Sequence, residues 1–306
     1  MTTTTNQQAI HTRLMLGNLS ITCWQARRFD RRVTAKTTEE YAAHPRAGRW
    51  NKALLPNDPL LSRVTAAATA IRKEFYRRTL PWDAKAWRLV PTAGYWDLTT
   101  AIRQQRDTLW DPAVAGFLGR YSALVEDAHQ TLGSMYQEQD YPSQSDIAGK
   151  FSMDLRFQPI PLGNLAVDLP APLVAEIEVD VEKRFNAALK TAVRDVWDRL
   201  HEVVRHVAET LRDPDAIFRD SLVTRVQDTC QALAILNVTN DPDLERLSLA
   251  AESLLTTHQA KTLRKSKRIR ARVARDADRI LREMQGFCSP PADPERPGHR
   301  IEEAVS

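Results

Sequence analysis

Only three cysteines occur in 306 residues, at positions 23, 230 and 288, and none stands in a CxxC pair. Scattered thiols in odd number exclude a disulfide framework and a zinc knuckle, and leave reduced, mostly buried side chains. Glycine is scarce too, at 10 residues. There is no Gly-rich phosphate loop, no G-x-S-x-G elbow and no cysteine placed near a partner histidine, so the usual nucleotide and acyl-transfer sites are excluded. No apolar run approaches the roughly 18 residues of a membrane span, and residues 1–10 are Thr/Gln-rich without an apolar signal core. These absences lead us to expect a cytoplasmic, non-enzymatic protein without membrane, cofactor or metal.

What the chain does have is helical periodicity. Ile177, Val181, Phe185, Leu189, Val193, Val196, Leu200, Val203, Val207 and Leu211 recur at about 3.8 residues per step, which predicts one helix over 172–211. At 1.5 Å per residue it would run roughly 60 Å. A second stripe, from Leu244 through His258, Thr262 and Ser266 to Met284, keeps a period of about 3.6 and predicts another helix of about 40 residues over 243–285. Its ends are apolar and its middle polar.

Asp58-Pro59, Asp111-Pro112, Asp213-Pro214 and Asp241-Pro242 each precede an amphipathic run. Asp can accept from the free N–H groups of a first turn, and Pro at the first helical position has no N–H to waste, so each pair predicts a helix start. Two segments instead alternate. Leu19, Ile21 and Cys23 interleave with Ser20 and Thr22, and Phe151, Met153, Leu155 and Phe157 interleave with polar residues, the period of half-buried strands. A lone strand leaves its backbone unpaired, so 14–23 and 151–158 are expected to pair in a small sheet. The fold class is thus mainly α (α+β): an elongated helical bundle with a small sheet. Its expected domains are an N-terminal α+β domain at 13–171, a long-helix bundle at 172–286 and a disordered tail at 287–306.

Charge is uneven. Residues 261–275 hold eight Lys and Arg and no acid, so without them the chain, at net +4, would be net acidic. Arg264, Lys265, Lys267, Arg268, Arg270, Arg272 and Arg275 encircle the predicted helix. Two readings stay open: a face neutralised by Glu176, Glu178, Asp180 and Glu182 of the long helix, or a phosphate-binding face for nucleic acid or a nucleotide. Aromatics are absent from the run, so base stacking would have to come from Trp24 or Trp50. Arg49, Trp50, Asn51 and Lys52 form a second candidate, a ligand loop with a ring to stack on and two cations for phosphates; the competing reading makes Trp50 a core anchor. Glu126 and His129 have the spacing of a di-iron helix, but the second copy is missing. His201 and His206 lie five apart, too far round a helix to chelate together.

Several stretches resemble an uncharacterised family of bacteriophage and prophage proteins: LSITCWQARRFD at 19–30, GRWNKALLP at 48–56, TLPW at 79–82, LRFQPIP at 155–161 and DPDAIFRDSLV at 213–223. Genes of that family are sometimes found near genes for a MoxR-like AAA+ ATPase and a von Willebrand A-type protein. The resemblance implies a viral accessory or assembly protein of the host cytoplasm, a helical scaffold or adaptor that self-associates or binds a protein such as the AAA+ ATPase. It transfers no catalytic residue and does not reach the basic run.

Overall fold

The computed structural model describes residues 10–56, 58–82, 87–161, 169–213, 216, 219–256, 263 and 266–288. In chain order the elements are β1 (Leu14–Thr22), β2 (Arg27–Phe29), α1 (Arg31–Glu40), β3 (Asn51–Ala53), α2 (Pro59–Arg77), β4 (Leu80–Pro81), β5 (Trp87–Pro91), α3 (Tyr95–Gln105), α4 (Asp111–Leu132) and the one-turn α5 (Gln144–Ile147). Then follow β6 (Ser152–Pro159), α6 (Ala171–Arg212), α7 (Asp220–Leu236), α8 (Pro242–Thr256) and α9 (Lys267–Met284). The protein is mainly helical, with a four-stranded sheet of order β4-β5-β1-β6 and a two-stranded sheet β2-β3. The two alternating segments are therefore neighbours, as their unpaired backbone required.

Helix starts obey local chemistry in two of the four predicted places. Asp58 Oδ1 accepts from Leu61 N at 2.7 Å, and Asp241 Oδ1 accepts from Asp243 N at 3.0 Å and Leu244 N at 3.3 Å. At Asp111 there is no break to cap, because α3 runs on into α4 through a π-helical turn at Arg106–Trp110. Asp213 ends α6, and α7 begins only at Asp220. Helix α1 was hidden among basic residues; Asp30 starts it by accepting from Val33 N at 3.0 Å.

The long helix spans 42 residues, from Ala171 to Arg212. The second one does not. Ser266 is extended, with φ −112° and ψ 102°, and caps the next helix: its Oγ accepts from Ile269 N at 3.3 Å, so α9 starts afresh there. Its polarity marks a helix boundary, where a hydroxyl satisfies a free N–H. His258 and Thr262 lie outside the described residues.

Contacts divide the chain into two units that do not follow chain order. One comprises 1–16, 78–94 and 158–306; the other comprises 17–77 and 95–157. The expected boundary near residue 171 is displaced because Leu14, Leu16, Leu80 and Leu89 join the core of Phe185, Val196, Trp197, Leu200 and Val204 on α6. Arg199 of α6 also donates to Thr79 O at 2.8 Å. The start of the expected tail is packed as well: Phe287 stacks on Trp197 with ring centroids 4.4 Å apart. The rest of that tail lies outside the described residues. In the second unit, α2 packs on α4, and Phe117 meets Trp24 and Phe151 at centroid distances of 6.2 and 5.4 Å.

Candidate nucleic-acid interface

Helix α9 has two unlike faces. Val273, Ala274, Ala277, Ile280 and Met284 are buried against α6 and α8, burial that fixes the helix and leaves the other side outward. That side carries Arg268, Arg272, Arg275, Arg279 and Arg282, all exposed. Their spacing alternates four and three, which keeps them on one stripe of a 3.6-residue helix. The stripe extends about 21 Å at 1.5 Å per residue.

The direction of packing decides what this stripe can pair with. Arg270 Nη2 donates to Thr210 O, Asp213 O and Ala216 O at 3.1, 2.6 and 3.3 Å, closing the C-terminal end of α6. Arg212 pairs with Asp278. With Phe287 against Trp197, α9 therefore runs antiparallel to α6, and its N-terminal end lies at the C-terminal end of the long helix. The acidic positions 176–182 stand about 30 residues back along α6, roughly 45 Å away. Among the described residues of the basic run, none pairs with them. Among the described residues Arg268, Arg272, Arg275 and Arg282 have no acidic partner, whereas Arg279 lies 3.4 Å from Asp276.

Local electrostatics sharpen the contrast. Lys267, Arg268 and Arg270 occupy the first turn of α9, which has no acid. Cations at the positive end of a helix dipole repel it, and an anion there relieves both. Of the seven basic residues singled out from the sequence, Lys267, Arg268, Arg272 and Arg275 are exposed and Arg270 is a structural clamp. Arg264 and Lys265 lie outside the described residues. Arg279 and Arg282 were missed because Asp276 ends the acid-free run, although their spacing from Arg275 continues the same face.

The loop at 49–52 does not gather into a ligand pocket. Arg49 lies over the Phe29 ring at 4.3 Å, and Trp50 is half-exposed, its backbone N donating to Thr34 Oγ1 at 3.0 Å. Asn51 is exposed in β3, opposite Phe29. Lys52 points the other way and is only 1% exposed. Its Nζ donates to Asp140 Oδ2 at 2.7 Å and Met135 O at 2.6 Å, with Asp30 Oδ2 at 3.9 Å. Asp140 also faces Arg28 at 3.6 Å. Nearby hydroxyls are spent on carbonyls: Tyr121 donates to Pro142 O and Tyr141 to Leu54 O, and burial pushes Tyr121 up to about 12. This is a closed ion cluster that staples β3 to the segment after α4. Trp24, the other candidate stacking ring, packs on Phe117 and Tyr121.

No family model matches the chain, and neither a curated protein nor a solved structure matches it.

Proposed function

We propose that this protein is a non-enzymatic accessory adaptor that grips a nucleic-acid backbone along α9. One observation carries the reading: an exposed stripe of five arginines, four without an acidic partner among the described residues, on a helix whose opposite face is locked in the core. A stripe of about 21 Å outreaches the phosphates of one nucleotide and suits a polyanion, which offers a charge every 1.7 Å or so along a duplex. The viral setting, the host cytoplasm and an AAA+ ATPase partner rest on the family resemblance alone.

Fluorescence anisotropy with labelled duplex and single-stranded DNA and RNA at two salt concentrations tests it. Binding should weaken with salt at roughly 0.9 log units per phosphate contact on a duplex, and Arg268→Glu with Arg272→Glu should abolish it while leaving the melting temperature near the parent's. Absence of binding to any of these probes at low salt overturns the reading. A second reading, a scaffold that docks a protein on the long helix, is favoured by the start of α6: none of the first 14 residues is buried, and the first buried one is Phe185.

A further inference from the structure

The start of α6 has a composition and a placement that specify its occupant. Leu173 and Ile177 are 47% and 38% exposed, and with Val174 and Val181 they make an apolar seam that runs into the core stripe at Phe185. On a 3.6-residue helix Glu176 and Asp180 fall on one side of that seam, and Glu178 and Glu182 fall on the other. Asp180 pairs with Arg184 one turn on. Carboxylates thus line both flanks of the seam, four of them against the two cations Lys183 and Arg184 at its core end, and the surface is net acidic.

Such a wall selects among occupants. A second copy laid along the seam, in either direction, sets an acidic flank against an acidic flank, and like charges in that geometry are destabilising. The stripe on α9 offers no apolar seam of its own, because its apolar face is already buried. An anionic lipid surface is repelled by the same carboxylates. What fits is a helix with a matching apolar seam and Lys or Arg on both sides, which buries Leu173 and Ile177 while pairing Glu176, Glu178 and Glu182.

We propose that residues 171–184 are a docking surface for a basic amphipathic helix of a partner protein. The proposal rests on the scaffold reading and is independent of the arginine stripe on α9. The test uses the full chain and two fluorescein-labelled designed peptides that share one Leu/Ile seam, one flanked by Lys and Arg and the other by Glu. The basic-flanked peptide should bind at least about tenfold more tightly at low salt. Leu173→Asp with Ile177→Asp should abolish binding, and Glu178→Lys with Glu182→Lys, which reverses one flank and leaves the other acidic, should erase the preference. Because all four side chains lie outside the core, circular dichroism melts of these variants should match the parent. Arg268→Glu with Arg272→Glu should leave peptide binding unchanged, which separates this surface from the nucleic-acid reading. Equal binding of the two peptides overturns the basic partner and keeps the scaffold; no binding of either at about 100 μM overturns both. A dimer in sedimentation velocity that Leu173→Asp with Ile177→Asp dissolves assigns the seam to a second copy and likewise overturns the proposal.

Discussion

Lys52 shows how far one residue's role depends on distant chain. Beside Trp50 it reads as a loop cation, yet its partners Asp30 and Asp140 come from the start of α1 and from beyond α4. Removing the ammonium leaves buried Asp30 and Asp140 with only the exposed Arg28 nearby, so Lys52→Met should cost about 3–5 kcal/mol in chemical denaturation. Adding Asp140→Asn should recover part of that loss, because the uncompensated charge goes with it. His11 carries a second residue-level expectation. It stacks on Phe185 at 3.8 Å, and burial lowers its pKa below the usual 6.5 while Glu182 pulls it back up. The unfolded chain then binds the proton first as pH falls, so stability declines from about pH 6.5 down through the folded-state pKa. His11→Phe should keep the stack and flatten that part of the stability profile, and an NMR titration of the wild type should place His11 below 6.5.

Among the elements, α6 follows its periodicity closely: Val196, Leu200, Val203, Val207 and Leu211 are all buried. Truncating Leu200 to Ala should cost about 2–5 kcal/mol, read from denaturant midpoints at constant slope. The first predicted stripe position, Ile177, is exposed, because the apolar pattern outruns the core that could cover it. Helix α9 illustrates a different limit. Period alone joined it to α8, since a capping serine and a polar stripe residue look alike in sequence. Ser266→Ala should remove the cap bond to Ile269 N and cost about 1 kcal/mol.

Across the whole molecule, segments remote in sequence meet closely. A Cβ on Gly94 would lie 2.8 Å from Ile235 Cγ2, so the turn before α3 and the end of α7 approach as only glycine allows. Gly94→Val should cost about 1–3 kcal/mol through overpacking, measured as a lowered melting temperature. The sequence by itself determined what is local: the helical stripe of α6, the caps at Asp58 and Asp241, and the alternation that makes β1 and β6 strands. Each depends on neighbours within a turn or a pleat, so residue spacing encodes it. Only the tertiary structure decided the partners of the charges. Coulomb pairing at 3 to 4 Å is set by which distant segments touch, and the antiparallel packing of α9 on α6 holds the arginine stripe roughly 30 to 45 Å from the acids that sequence alone could have assigned to it.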